Sequence, residues 1–482
     1  MTTPAILALD LGTSGAKAAL IDVRTGRPTA SAFRPYPTRN LPGGGVEQDP
    51  ADWLHAARAA ITGCLGDGVR PAALSLTGQM QDLICLDASG RPLGPAVLYS
   101  DTRASRQATE IAQVVPDWEE ITGNEHNATS NAAMFRRLAQ LNDPRAEAAT
   151  LLFSPAGYLI HRLGLGTVVD ETTAGTTGLF DIRIRGFSGQ VAAAAGIDAA
   201  VLPQVRSGHV GDTGDGAFEL LGLPAGVPVV LAPGDATATT AGIVGVAPGD
   251  DYLYLGSSGW HAEVREEITM GGPGAVHQLA LPDGGILRIA AVLSAGATAQ
   301  WARSTFLGGL PPEDADRMLV ERGIRGFHGL LSLPSIHGER FPVRDDALGA
   351  AVTGMRAGTR PIDIYAAVLE GVALGLSHSL PEDGDRPLPV VGGGTNSRPW
   401  MEIVADVTGR EVRVISGVDA ALNGCALAAT DALGLTDTGV APLVQGNAAG
   451  EAVLPDPAAH ASWCQVRARH RALYAALGPR RR

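Results

Sequence analysis

Ala5-Ile-Leu-Ala-Leu-Asp10-Leu-Gly12-Thr13-Ser14-Gly15-Ala-Lys17-Ala-Ala-Leu-Ile21-Asp-Val-Arg24-Thr25-Gly26-Arg27 is the stretch that decides the fold. The apolar run from Ala5 to Leu9 has strand length and ends on Asp10. Gly12-Thr13-Ser14-Gly15 follows, then a second apolar run to Ile21, closed by a polar turn. Two such runs joined through glycines and hydroxyls read as a β-hairpin. Its turn gathers backbone N–H groups, two hydroxyls and one carboxylate at a single point. A phosphate can approach those amides, and the carboxylate can hold a hydrated cation. An ordinary glycine-rich hairpin carries the same local pattern, so the stretch alone leaves both readings open.

A second stretch repeats the plan about half a chain later. Asp251-Tyr-Leu-Tyr-Leu-Gly256-Ser257-Ser258-Gly259-Trp-His-Ala-Glu-Val264 is again strand, glycine–serine turn, strand. Two hairpins that open the two halves of one chain point to paired domains presenting their glycine turns to one nucleotide. A dinucleotide fingerprint is disfavoured, since Gly12 and Gly15 have no third glycine in register and no helix follows them. Gly12 to Lys17 is not a Walker sequence, because Lys17 sits inside a strand.

A chain of 482 residues is too long for one compact core, so two domains are expected. Apolar content of 45% with 18% charged residues describes an ordinary soluble globular protein. A net charge of −13 argues against nucleic acid as partner, since a phosphate backbone needs a basic face. Lys17 is the sole lysine among 37 basic residues, and composition alone gives it no role at a site. Cys64, Cys85, Cys425 and Cys464 form no Cys-x-x-Cys pair, which fits a reduced cytoplasmic protein. Asp10 would interrupt any leader-type apolar region, so no leader is expected. No membrane segment is expected either: the nearest run, Ala225 to Ala247, is broken by prolines, glycines and Asp235.

Between the hairpins, Arg34 to Asp49 is rich in Pro and Gly and reads as a loop. A helix is expected from Pro50 through Ile61, with Trp53, Ala57 and Ile61 on one face. Ala73 to Leu76 and Leu83 to Leu86 read as strands around the polar turn Gln79-Met80-Gln81-Asp82. Ala96 to Tyr99 leads into Ser100-Asp101-Thr102-Arg103 and a polar helix. Val227 to Leu231 reads as a strand, Ala236 to Gly245 as a helix, and 247–251 as a domain boundary. In the second half, Ile286 to Val292 is a strand before a helix from Ala297 to Phe306. A helix from Ile362 to His378 precedes the strand Pro389–Val391, Gly392-Gly393-Gly394-Thr395-Asn396-Ser397, and a helix from Trp400 to Val407. Strands alternating with helices mark an α/β layer architecture.

Three groups of residues stand out chemically. Asp235 lies between a buried strand and a helix, where the sites of open α/β sheets are found; taken alone, capping of the following helix is the commoner reason for an Asp at such a place. Gly392-Gly393-Gly394 would let a flat ring or a phosphate lie on bare backbone, although a tight strand–helix turn needs glycines too. Gln79, Met80, Gln81 and Asp82, with Tyr99 to Asp101 close behind, supply the amides, carboxylates and aromatic face that a polyhydroxylated ligand requires. Solvated turns have the same composition. His261, His277, His337 and His378 sit in unrelated contexts and are assigned nothing.

Taken together, these segments resemble the FGGY family of carbohydrate kinases. Asp10-Leu-Gly12-Thr13-Ser14 resembles the family's first phosphate motif and Gly256-Ser257-Ser258-Gly259 its second. Gly392 to Ser397, followed by Trp400, Ala405-Asp406 and Gly409, resembles its adenosine motif. Ser294-Ala-Gly296-Ala-Thr-Ala-Gln-Trp301 and Gly338-Glu-Arg-Phe-Pro342 are similar to segments of its C-terminal domain. The resemblance implies two ribonuclease H-like/actin-type α/β domains with an ATP cleft between them. These would be an N-terminal sugar-binding and catalytic domain, 1–247, and a C-terminal nucleotide-binding domain, 248–482.

It implies transfer of the γ-phosphoryl group of ATP, with Mg²⁺, to a hydroxyl of a small sugar or polyol. By the same resemblance Asp235 is the catalytic base, and Asp10 with Asp235 holds the metal. Gly12, Thr13, Ser14, Gly256, Ser257, Ser258, Gly296, Gly393, Gly394 and Asn396 line the nucleotide. Gln79, Met80, Gln81, Tyr99, Asp101 and Ala236 face the acceptor. No nucleic acid or membrane partner is implied, and a homodimer is the expected assembly.

The nearest subgroup is the xylulokinases, which convert D-xylulose to D-xylulose 5-phosphate. Gln81, Tyr99 and Ala236 stand where that subgroup has His, Trp and Asn. Departures confined to the acceptor end predict another ketose, a polyol or a gluconate-like acid as the better substrate. A non-catalytic sugar or ATP sensor on the same fold is the competing reading, and the presence of both Asp10 and Asp235 speaks against it.

Overall fold

A computed structural model describes residues 4–66, 69–270, 272–381, 384–415, 419–436, 438–442 and 451–478. The outer ends of the two expected domains, 1–3 and 479–482, lie outside the described residues. The opening hairpin forms as read. Ala5–Gly12 and Gly15–Asp22 pair antiparallel across the Thr13-Ser14 turn. Leu7, Leu9 and Leu11 face one side of the sheet, against Trp53, Ala57 and Ile61 of the helix Pro50–Cys64. Ile6 and Ala8 face the other side, against Leu422, Cys425 and Ala426 of the helix Ala420–Ala432. Burial on both faces explains why the strand is apolar throughout rather than alternating.

The two halves share one topology. In the first sheet the order Pro28–Pro35, Gly15–Asp22, Ala5–Gly12, Ala73–Gly78, Pro228–Leu231 has three antiparallel strands, then two running parallel to the first. In the second, Ile286–Val292, Gly259–Arg265, Asp251–Leu255, Leu388–Val391 and Val412–Val414 repeat that order and those directions.

The segment 34–49 departs from the expected loop. Pro28–Pro35 is the edge strand of the first sheet, and Arg39–Leu41 pairs with Gly45–Gln48 across a turn where Gly43 and Gly44 have φ of 76° and 87°. Edge strands tolerate proline, and left-handed turns want glycine, so a Pro/Gly-rich composition conceals strands here. The helix Pro50–Cys64 starts where Asp49 accepts the Ala51 N–H at 2.9 Å, with Pro50 at its first position.

Helices Asp235–Ile243 and Ala420–Ala432 cross with their backbones in contact. A Cβ on Gly242 would strike the Ala420 carbonyl oxygen, and one on Gly424 would strike that of Ala238. Chain from the second half thus returns to cover the first sheet.

Candidate active site

Asp10, the Thr77–Gln79 segment and Asp235 emerge from the same end of three adjacent parallel strands, where open α/β sheets bind ligands. Asp235 is the first residue of its helix, the residue before it is Gly234, and no side chain caps the helix start. Helix capping therefore does not account for the carboxylate. Asp170 holds the preceding turn, accepting the Gly234 and Thr173 N–H groups, each at 2.9 Å, while Thr77 donates to the Pro233 carbonyl at 2.7 Å.

Burial pushes Asp235 up to about 7; the Ala236 N–H opposes this and the charge of Asp170 adds to it. Burial likewise pushes Asp10 up to about 7, reinforced by Asp235 and then Asp419, with Lys17 opposing. Asp10 Oδ1 is buried without a hydrogen-bond partner. Lys17, to which composition gave no role, lies opposite Asp10 in the hairpin register and forms an ion pair with Asp419.

The expected acceptor residues gather beside these carboxylates. Gln79 donates to Gln48 at 2.9 Å and Gln48 donates to the Thr13 carbonyl at 2.9 Å, so one amide chain ties this wall to the glycine turn. Tyr36 supports the same turn through its hydroxyl on the Gly12 carbonyl. Met80 lies against Gly234, and Gln81, with φ of 65°, donates its amide to the Thr129 carbonyl at 2.9 Å. Tyr99 is 41% exposed, its hydroxyl 3.3 Å from that of Thr13, and Ser14 beside it is exposed. Ala236 packs in one cluster with Met80, Tyr254 and Trp260, which joins the acceptor wall to the second hairpin.

Asp101 is the exception. It is buried, and its carboxylate is taken up by Arg103 at 2.6–3.0 Å and by the Val46 N–H at 2.9 Å. So engaged, it anchors the turn from within.

The second half presents an open cavity of about 640 Å³. Gly256, Ser257, Gly296, Gly393, Gly394 and Asn396 line it with Tyr254, Tyr365 and Trp400. Bare backbone is a packing requirement here. A Cβ on Gly296 would lie 2.5 Å from the Gly256 carbonyl oxygen, and Gly392, with φ of 101°, rests on Leu255. Gly393 has nothing within 4 Å of its Cβ position. Ser258 is not among the lining residues; its carbonyl accepts the Gly256 N–H at 2.9 Å and closes the turn. Tyr254 and Trp260 stack at 3.7 Å beneath it.

Comparison with known proteins decides the family. The N-terminal domain of the FGGY family of carbohydrate kinases matches residues 5–242, and its C-terminal domain matches residues 273–433. The chain belongs to the FGGY family of carbohydrate kinases.

Among its relatives, the xylulose kinase of Streptomyces rubiginosus is 31% identical over 441 residues, 89% of this chain and 88% of that one. That of Escherichia coli K12 is 28% identical, covering 86% and 87%. The crystal structure of xylulose kinase from Rhodospirillum rubrum superposes with a TM-score of 0.87 at 25% identity, over 98% of this chain and 99% of that one.

This FGGY kinase is thus an ATP-dependent sugar kinase with the two-domain α/β fold of its family. Among the described residues no helix is long and apolar enough to cross a membrane. Asp170, Gln48, Tyr36 and Lys17 are the supporting residues that motifs did not reveal. Their partners are remote in sequence, so no local pattern marks them.

Proposed function

We propose that this FGGY kinase transfers the γ-phosphoryl group of ATP to a hydroxyl of a ketose or related polyol, in the manner of its xylulose kinase relatives. The observation that carries this reading is the juxtaposition of two half-buried carboxyls raised toward neutrality, Asp10 and Asp235, with a glycine turn at strand ends of one sheet. Asp235 accepts the hydroxyl proton, and its raised pKa suits a base working near pH 7. The turns Gly12-Thr13-Ser14 and Gly256-Ser257-Ser258 offer N–H groups to the phosphates. Gly296, Gly393, Gly394 and Asn396 receive the adenosine.

Mg²⁺ keeps most of its waters and needs only one or two carboxylates beside the phosphates. No group of three or more potential ligands occurs among the described residues, yet the unpartnered Asp10 oxygen and the neighbouring Asp235 fit such a hydrated ion. They would hold it, and it would neutralise phosphate charge. A division into a sugar-binding half, 1–247, and a nucleotide-binding half, 248–482, belongs to this reading, as do cytoplasmic location and a homodimer.

D-Xylulose is the reference acceptor. Gln81, Tyr99 and Ala236 shift preference toward a differently substituted ketose or polyol, because Gln81 is always neutral and Ala236 offers no amide. A coupled ADP-release panel of pentuloses, polyols and sugar acids tests this on the wild type and on Gln81→His/Ala236→Asn. The double variant should move kcat/KM toward D-xylulose by roughly 10-fold or more. D-Xylulose as clear best substrate of the wild type would show that these positions do not set preference. ADP release stimulated by no acceptor would refute the kinase reading itself.

A further inference from the structure

No residue of the Gly338-Glu-Arg-Phe-Pro342 segment lines the glycine-floored cavity of the second half, and Glu339 is fully buried. Its carboxylate still reaches the loop that enters the helix Gly296–Phe306. Glu339 Oε1 accepts the Leu293 and Arg340 N–H groups, each at 3.0 Å, and Oε2 accepts the Ser335 hydroxyl at 2.8 Å. Burial raises this carboxyl, and the same donors oppose the rise, the Leu293 N–H foremost. A second tie comes from the buried Thr298, whose hydroxyl donates to the Pro334 carbonyl at 2.6 Å. Residues 293–298 are thus held at both ends by the segment 334–340.

Between the two ties, three successive residues give their N–H groups to the second glycine turn. Ala295 and Ala297 donate to the Ser257 carbonyl at 2.9 and 3.0 Å, and Gly296 donates to the Gly256 carbonyl at 2.8 Å. No side chain caps this helix, and its first amides are spent on the turn instead. A trans peptide unit carries its C=O and its N–H on opposite edges. With the Gly256 and Ser257 carbonyls fixed on the helix start, the Ser257 and Ser258 N–H groups face away from it. Gly256 and Ser257 line the cavity and Ser257 is exposed, so these donors suit an incoming phosphate. A Cβ would not fit between Gly296 and the Gly256 carbonyl oxygen, so a shift of the loop is passed on to the turn.

We propose that Glu339 is a positioning residue for phosphoryl transfer. Through the Leu293 N–H it sets the amides of residues 295–297, and through them the Gly256-Ser257-Ser258 turn that receives the ATP phosphates. This rests on the placement of the nucleotide in the reading above, and it adds a residue that touches neither substrate.

The test measures calorimetric affinities for ATP with Mg²⁺ and for adenosine, together with kcat and both KM values, on wild type, Glu339→Ala and Glu339→Gln. Glutamine keeps an acceptor oxygen for the two N–H groups, and its amide can donate to Ser335, whose hydroxyl turns to accept. Glu339→Ala should weaken ATP binding ~10-fold, leave adenosine binding unchanged and lower kcat roughly 10- to 100-fold, with the acceptor KM unmoved. Glu339→Gln should bring ATP affinity and kcat back to within about threefold of wild type. A folded Glu339→Ala with wild-type kcat and an unchanged ratio of ATP to adenosine affinity overturns the proposal. So does a parallel loss of both affinities, which would mark a general role in stability. If Glu339→Ala does not fold, Glu339→Asp, one methylene too short to span Leu293 and Ser335, takes its place. A fall of ~10-fold in the affinity ratio then supports the proposal, and an unchanged ratio overturns it. A wild type that binds ATP no more tightly than adenosine would overturn the nucleotide placement and the proposal with it, whereas an unchanged ratio in the variant overturns the proposal alone.

Discussion

Asp10 and Tyr254 occupy the same place in the two halves, each two residues before the glycine that opens a hairpin turn. Their cross-strand partners differ in kind. Asp10 faces Lys17, which reaches on to Asp419, whereas Tyr254 faces Trp260 and stacks on it at 3.7 Å and 12°. Topology fixes where the turn goes, and the residue that rides on it decides the task. The first half sets two half-buried carboxyls, Asp10 and Asp235, at strand ends beside its turn. The second keeps a glycine-floored cavity walled by Tyr254, Tyr365 and Trp400. On the proposed reading, one half handles charge and protons and the other holds the nucleotide.

If the halves divide the work in this way, substitutions in them should fail differently. Asp235→Asn should lower turnover by roughly 10²–10⁴-fold, the usual worth of a positioned base, and leave ATP affinity intact. Stopped-assay rates beside calorimetric ATP binding check both parts. Asp10→Ala should lower turnover by about 10²-fold and flatten the Mg²⁺ titration, with acceptor KM nearly unmoved. An unchanged Mg²⁺ titration would remove Asp10 from the metal site.

Gly393→Val, placed where nothing lies within 4 Å, should fold and intrude on the cavity. It should raise KM for ATP about 10-fold and leave turnover at saturating ATP nearly unchanged, read from initial rates.

Individual carboxyls should also respond to pH with opposite sign. Asp10 and Asp235 are raised from 3.8 to about 7 by burial, so the folded state binds their protons more tightly than the unfolded chain. Their contribution is fully present below the unfolded pKa and is lost as pH rises through about 7. Asp251 in the second half runs the other way. Burial would raise it, but hydrogen bonds from Arg410 and His261 hold it at about 2, so its contribution is lost only as pH falls toward that value. Melting of the ligand-free protein should therefore rise by a few degrees between about pH 8 and about pH 5.5, and Asp10→Asn/Asp235→Asn should reduce the rise, the remainder following other raised carboxyls such as Glu370.

Both hairpins, the order of helices and strands, and the glycine cluster were legible in the sequence, because apolar runs and glycine turns report local geometry. The segment 34–49 was not, since proline and glycine serve an edge strand and its turn as readily as a loop. The anchoring of Asp101 was not legible either, because its composition signals an open turn, whereas Arg103 two residues on folds back to neutralise it. Lys17 and Asp170 were missed for the converse reason: Asp419 and Gly234, their partners, are brought to them only by the fold.

The division between the halves is tested most directly by a double-mutant cycle of Asp235→Asn and Gly393→Val, reading kcat and KM for ATP in one assay. Independent sites predict that the two effects add to within about 0.5 kcal/mol, with the kcat loss following Asp235 and the KM loss following Gly393. A large coupling, or an Asp235→Asn enzyme that loses ATP binding together with turnover, would contradict it.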